Sequence, residues 1–246
     1  MPSTRRFLLA LALAPLLGAC PSYTRMPAAD QARLQSALTH TERQLAQSCY
    51  VAPFYRDGRY LLLSAVHPAQ TDLLRDPKGA RVLPGAPLGV LPAGTKVRIV
   101  GLSFPTASEV TRRSLYSPRI FTWVLVEAEG YERPLVAVIR DDFESSAPFE
   151  ARLSTLFDQG EAAALLAEAS PAHQAAVAQK SLVAGMPAPL ARMAWGPPER
   201  ARREVAGSRG VETWGYAGGA WIRLRDGLVE GWGDNPAAAD DAPPAP

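Results

Sequence analysis

From Ala28 to Ser48, apolar residues recur at Leu34, Leu38 and Leu45 with polar residues between them. Spacings of four and seven place them on one stripe, which predicts an amphipathic helix of about five turns packed on the region that follows. The pattern then changes. Tyr50, Val51, Phe54 and Tyr55 precede Asp57-Gly58, and Tyr60 to Leu63 follow it, a hairpin signal between two β-prone runs. Residues 67–86 are rich in Pro, Asp and Gly and read as a long loop. Leu88 to Leu91, the turn Pro92-Ala93-Gly94 and Thr95 to Phe104 give a further strand, turn and strand. Residues 105–118 read as a polar excursion. Ile120 to Ala128 and Leu135 to Ile139 flank the turn Glu129-Gly130-Tyr131. Short strands with Pro and Gly turns and no helical period predict a small antiparallel barrel or sandwich over residues 49–150.

Beyond residue 150 the period lengthens. Leu153, Leu156, Phe157, Leu165 and Leu166 suit a helical connector over 151–170, broken at Gly160. Ser170-Pro171 restarts a helix as N-cap and first residue, with Ala175, Val177, Leu182 and Val183 on its apolar face and Gly185 as its stop. A second helix runs from about Pro187 to Trp195 and ends at Gly196-Pro197-Pro198. Residues 199–210 read as a polar loop. Val211 to Tyr216, Trp221 to Arg225 and Leu228 to Trp232 then read as a three-stranded meander, with Asp226-Gly227 joining the last two strands. Trp214, Tyr216, Trp221 and Trp232 are candidates to cover the helices. Residues 235–246 hold five Ala, four Pro and two Asp and read as a disordered tail. The fold class is therefore α+β: the β-rich region, then two helices and the meander over 171–234.

The first nineteen residues stand apart. Arg5 and Arg6, the apolar run Phe7 to Leu16 and small residues after it make a secretory signal peptide. The run is short of the roughly 20 residues of a membrane span. Leu17-Gly18-Ala19-Cys20 resembles the bacterial lipobox. That resemblance implies cleavage between Ala19 and Cys20, acylation of Cys20, and residues 20–48 as a tether and helix. The alternatives are an ordinary secreted protein or an uncleaved anchor. Pro21, where an Asp would favour the inner membrane, implies an outer-membrane lipoprotein on the periplasmic face. The chain carries 26 Lys and Arg against 24 Asp and Glu, and losing Arg5 and Arg6 leaves 24 against 24. The basic excess thus belongs to the leader and gives no argument for a nucleic-acid partner. Cys49 is the remaining cysteine and reads as a buried apolar residue, with an intermolecular disulfide as the alternative.

Leu182-Val183-Ala184-Gly185-Met186, Gly196-Pro197-Pro198, Trp214-Gly215-Tyr216 and Asp226-Gly227-Leu228-Val229 together resemble the motif of the SmpA/OmlA (BamE-like) family of envelope lipoproteins. The resemblance implies a two-helix and three-stranded domain associated with outer-membrane protein assembly. Gly185, Met186, Gly196, Pro197, Trp214, Tyr216 and Gly227 are its motif positions, each with a structural role. Pro187 departs from the family, which has a capping Thr there. The stretch LPAGTKVRI at 91–99 resembles bacterial SH3-like domains. That implies an alternative function, peptidoglycan binding in a groove lined by Tyr116, Trp123 and Tyr131. The SmpA/OmlA-like arrangement of two helices and three strands also resembles inhibitors of periplasmic hydrolases, which by analogy implies a third reading.

No catalytic pattern stands out. His40, His67 and His173 lie at no metal-ligand spacing from one another or from a cysteine. Nucleophile-elbow, Walker and dinucleotide motifs are missing. Asp141, Asp142 and Glu144 lack the spacing of a calcium loop. The expectation is a non-enzymatic binding or scaffold protein without cofactor or metal, whose partner is an envelope protein or peptidoglycan. Arg200, Arg202 and Arg203 are candidate contacts for an acidic partner or lipid headgroups.

Overall fold

The computed structural model describes residues 23–206 and 209–233, so the leader, Ala19, Cys20 and the tail beyond Gly233 lie outside the described residues. Among the described residues, strands form one mixed sheet of eight and one antiparallel sheet of four, with α-helices beside both. The chain is α+β.

The larger sheet uses β1 Thr41–Leu45, β2 Cys49–Pro53, β3 Leu61–Ser64, β4 Gly89–Leu91, β5 Lys96–Ser103, β6 Thr122–Ala128, β7 Leu135–Ile139 and β8 Phe157–Asp158. Their order is β4-β2-β3-β7-β6-β5-β1-β8. In a flat sheet β1 and β2, five positions apart, would stand about 24 Å from each other. Residues 46–48, which join them, reach at most about 14 Å. The sheet therefore curls until its ends approach, a half-barrel. Alternate residues face its hollow: Val51, Leu61, Leu63, Ile99, Val124, Val126, Leu135 and Ile139 are buried together. Helices α1 Ala28–Leu38 and α3 Ser146–Ser154 plug the hollow with Leu34, Leu38, Phe149 and Leu153. The intervening residues Ala52, Phe54, Leu62, Trp123 and Val136 form a second apolar layer on the convex side.

Three expectations are corrected here. The first helix stops at Leu38: Thr39 is extended, His40 takes a left-handed φ of 64°, and Thr41–Gln44 pair antiparallel with β5. Leu45 suits a helix stripe and a strand face equally, so spacing alone could not separate them. The sheet is not a purely antiparallel unit of residues 49–150, because β3 runs parallel to β7 (Leu61 opposite Leu135) and β1 and β8 come from outside that range. The excursion at 105–118 contains helix α2, Ala107–Arg112. Thr106 caps it by accepting from the Glu109 amide at 3.4 Å, while its own amide donates to the Phe104 carbonyl at 2.8 Å.

The second half opens with α4 Glu161–Ala167 after the break at Gly160 (φ 129°). Helix α5, Pro171–Ala178, is capped by Ser170 through the His173 amide at 3.3 Å, and α6 is Ala188–Trp195. Helix α5 ends well before Gly185, with Lys180 at φ 51°, so Leu182 and Val183 are not on its face. Gly185, at φ 78°, instead turns the chain into α6. Strands β9 Arg200–Ala206, β10 Arg209–Gly215, β11 Trp221–Arg225 and β12 Leu228–Gly233 form a four-stranded meander. The added strand β9 corrects the expected loop at 199–210. As an exposed edge strand it lacks the apolar alternation that marks a half-buried one. Asp226 and Gly227, at φ 50° and 80°, make the primed turn of a hairpin. Val177, Met186, Leu190, Trp214, Ile222, Leu224 and Val229 form the core between helices and meander. Trp221, opposite Gly215 in register, lies on the far face over Gly231 and Gly233, and Trp232 is 40% exposed, so neither joins Trp214 in that core.

Candidate functional site

The two sheets meet where a three-residue connection, Ala46–Ser48, touches the C-terminus of α6. The last turn of a helix leaves carbonyls without intrahelical partners. Here the Arg192 carbonyl accepts from the Gly196 amide (2.7 Å), Met193 from the Ser48 amide (2.8 Å), and Ala194 from Lys180 Nζ (2.8 Å). Lys180 Nζ also donates to the Ser48 carbonyl at 2.7 Å, so one ammonium ties the first sheet to the second core. A cation at a helix C-terminus is electrostatically favoured. The Ser48 hydroxyl donates to the Val177 carbonyl at 2.6 Å and accepts from the Ala93 amide at 2.9 Å. Trp195 Nε1 donates to the Lys180 carbonyl at 3.1 Å. The seam is thus tied by hydrogen bonds around a lysine that is 7% exposed and forms no ion pair among the described residues.

Beside this seam lies a cleft of about 470 Å³. Tyr50, His67, Arg152, Trp195 and Tyr216 wall it, with Lys180 at its base. His67 and Tyr50 meet edge to face at 5.0 Å, as do Trp195 and Tyr216 at 5.5 Å. His67 Nδ1 accepts from the Ala69 amide at 3.2 Å, which leaves the ring proton of the neutral tautomer on Nε2. Tyr216 donates to the Gly196 carbonyl at 3.2 Å, and burial pushes its hydroxyl pKa well above the ordinary value. Gln47 Nε2 donates to the Thr155 carbonyl at 2.7 Å, whereas its buried Oε1 has no hydrogen-bond donor. Arg152 Nε is likewise buried without a hydrogen bond, although Asp141 stands 3.3 Å away. These are the features of a small-molecule or side-chain seat: apolar walls with a few fixed polar groups. A second depression, of about 500 Å³, is a shallow trough over β1, β5 and β6 lined by charges such as Glu42, Lys96, Arg98 and Glu127. It has less concave apolar wall to hold a ligand.

Burial sets the protonation of the seam. It lowers the Lys180 pKa from 10.5 to about 8, against a smaller opposing effect of Cys49. It raises the Cys49 thiol to about 11, with Lys180 working the other way. Cys49 is buried, as its apolar surroundings suggested, and is not primed as a thiolate. Between pH 8 and 10.5 the unfolded chain keeps a lysine proton that the folded chain has released, so stability rises with pH. Between pH 9 and 11 the folded chain keeps a thiol proton that the unfolded chain has lost, so Cys49 acts oppositely. The raised phenol of Tyr50 reinforces that loss above pH 10. Thermal melting is expected to rise from pH 8 to 9 and then turn over, and Lys180→Met removes the rising limb. A melting temperature that falls from pH 8 to 9 in the parent contradicts this assignment.

The sequence-derived positions fall into three groups. Gly196, Pro197 and Tyr216 line the cleft. Met186 and Trp214 are core, with Arg192 over the Trp214 ring at 4.7 Å, and Gly185 and Gly227 serve turns. Pro187 offers α6 no side-chain cap, and the hairpin turn serves instead, since the Ala188 amide donates to the Gly227 carbonyl at 2.8 Å. Arg200, Arg202 and Arg203 do not make one patch. Arg200 and Arg202 share one face of β9 and Arg203 lies on the other, with Arg202 beside Glu204 (3.2 Å) and Arg203 beside Glu212 (3.8 Å). Nor do Tyr116, Trp123 and Tyr131 line one groove. Trp123 is 3% exposed, and the two tyrosines flank opposite ends of β6. Gln47, Tyr50 and Lys180 were not singled out by the sequence. A lone lysine after the alanine-rich α5 was the available signal. Among the described residues no group of three His, Cys, Asp or Glu is placed to hold a metal, and no helix is long and apolar enough to cross a membrane. Comparison of the chain with protein-family models, curated proteins and solved structures finds no match.

Proposed function

We propose that the protein is a lipid-anchored, non-catalytic binding or scaffold protein of the bacterial envelope, held through Cys20 at the periplasmic face of the outer membrane. The observation that carries the binding role is the cleft. Its aromatic walls are locked edge to face, and its Tyr216 hydroxyl and Lys180 ammonium are committed to carbonyls, not paired as nucleophile and base. The lipobox resemblance supports the anchor. The order α5, α6, β10, β11, β12, with Gly196, Trp214 and Gly227 in structural positions, supports kinship with the SmpA/OmlA (BamE-like) fold and so a role in outer-membrane protein assembly. The strand β9 and the curled mixed sheet depart from the two-domain arrangement with an SH3-like barrel. The test places a photocrosslinking residue at Gln70, on the cleft rim, and at Glu127, on the distant face of β6. One defined envelope component is expected to be captured at Gln70 and not at Glu127, with loss on Tyr50→Ala. Equal labelling at both positions, or none at Gln70, rules out the cleft as the seat.

A further inference from the structure

The excursion between β5 and β6 has its polarity inverted. Arg113, Ser117 and Pro118 turn inward and are buried, whereas Leu115, Tyr116 and Ile120 point to solvent at 67%, 53% and 44% exposure. The arrangement is held rigidly. Arg113 Nη1 donates to the Arg119 and Phe121 carbonyls at 2.7 and 2.6 Å, and Nη2 donates to the Ser103 carbonyl and hydroxyl at 2.6 and 2.7 Å. Trp123 Nε1 holds the Pro118 carbonyl at 3.1 Å, and the Ser117 hydroxyl holds that of Ser114 at 2.8 Å. Nearby hydrogen bonding thus fixes three large apolar side chains outward, where exposure is unfavourable unless something covers them.

Two further observations say what covers them. The excursion is basic: Arg112 is largely exposed, Arg119 is half-buried, and Arg56 lies over the Tyr116 ring at 4.7 Å. Within 105–121 the single carboxylate, Glu109, is paired with Arg112 at 2.7 Å. The tether also leaves from this place. The Tyr23 amide donates to the Pro105 carbonyl at 3.1 Å, so the first described residue sits at the root of the excursion, with its own ring 46% exposed. Cys20 is three residues upstream, within about 10 Å of Tyr23 along the chain.

We propose that Leu115, Tyr116 and Ile120, framed by Arg56, Arg112 and Arg119, form a second membrane contact that dips into the interface of an anionic lipid surface beside the acyl anchor. The placement rests on the anchoring at Cys20; the inserting surface itself does not. Apolar and aromatic side chains flanked by arginines suit that interface, the rings and chains entering the headgroup boundary while the guanidiniums meet phosphates. A basic apolar patch beside the anchor supplies an attachment that sets how the domain sits on the surface.

The test uses the mature chain from residue 20 with Cys20→Ser, which carries neither an acyl group nor the apolar leader, and vesicles of equal parts phosphatidylcholine and phosphatidylglycerol. Flotation with these vesicles and not with pure phosphatidylcholine is expected, falling with added salt. Leu115→Glu and Ile120→Glu are each expected to lower partitioning about tenfold. Both residues are exposed, so folding is unaffected, which circular dichroism checks. Flotation that is absent in the parent, or unchanged in the double variant, overturns the inference. So does a double variant that alters self-association alone, which marks a protein interface. The mass of protein purified from envelopes decides the anchor separately: no acyl mass defeats the anchoring at Cys20 and leaves the vesicle result standing.

Discussion

Gly196→Ala is expected to lower stability by about 3 kcal/mol, through strain and overpacking at one atom. Gly196 ends α6 at φ 91° and ψ 176°, a conformation essentially closed to residues with a side chain. The high ψ suits the residue before Pro197, which steric contact keeps extended. A Cβ added there would overlap Gln47 Oε1. Gln47 cannot swing aside cheaply, because it is 2% exposed and its amide is pinned to the Thr155 carbonyl. The same backbone turn presents the Gly196 amide to the helix end and the Gly196 carbonyl to Tyr216, so the substitution disturbs helix cap and cleft wall together. For a chain of this size the melting temperature should fall by roughly 6–12 °C. A double-mutant cycle separates the causes: Gln47→Ala removes the clash but not the dihedral strain, so its own cost should shrink in the Gly196→Ala background. A melting temperature for Gly196→Ala within about 1 °C of the parent would show that the close approach carries no strain.

Much of this seam was out of reach of the sequence for a physical reason. Local chemistry was legible: Asp57-Gly58 lies in the connection between paired β2 and β3, Asp226-Gly227 makes a turn, Ser170-Pro171 starts α5, and Cys49 is buried. Each of these is fixed by its neighbours in the chain. The strand β1 was not legible, because its side chains Thr, Glu, Arg and Gln are only partly covered and Leu45 alone reaches the core. The edge strand β9 was hidden similarly, since exposed arginines carry no alternation. The parallel pairing of β3 with β7 depends on residues more than seventy positions apart. Lys180 owes its role to Ser48, 132 residues upstream, and to the end of α6. Its own neighbours, Ala178, Gln179 and Ser181, show nothing of that role. Gly196 and Pro197 were found as punctuation, and only the fold gives them a cleft to line.

Arg113→Met is expected to cost about 3 kcal/mol, comparable to breaking a buried charged network. Arg113 is 6% exposed and forms no ion pair among the described residues, since nearby Glu109 pairs with Arg112. Burial lowers its pKa to about 10, with Glu109 and Tyr60 opposing, so it stays charged through neutral pH. Its desolvation is offset by four hydrogen bonds to three carbonyls and one hydroxyl and by stacking 4.0 Å over the Trp123 ring. Methionine refills the volume above Trp123 but leaves those acceptors without a donor in a dry site, and each unsatisfied group costs roughly 1–3 kcal/mol before relaxation. Arg113→Lys keeps the charge but lacks the planar fork that reaches both branches of the loop, so it should recover less than half of the loss. The damage should be local first. Limited proteolysis is expected to cut within 105–121 in Arg113→Met before any other segment opens, while the seam at Lys180 stays intact. Because the same fork holds Leu115 and Ile120 outward, Arg113→Met should also weaken vesicle flotation with those side chains unchanged. Global unfolding with no preferred cleavage in this loop would place Arg113 in the core of the half-barrel and not at the root of the excursion between β5 and β6.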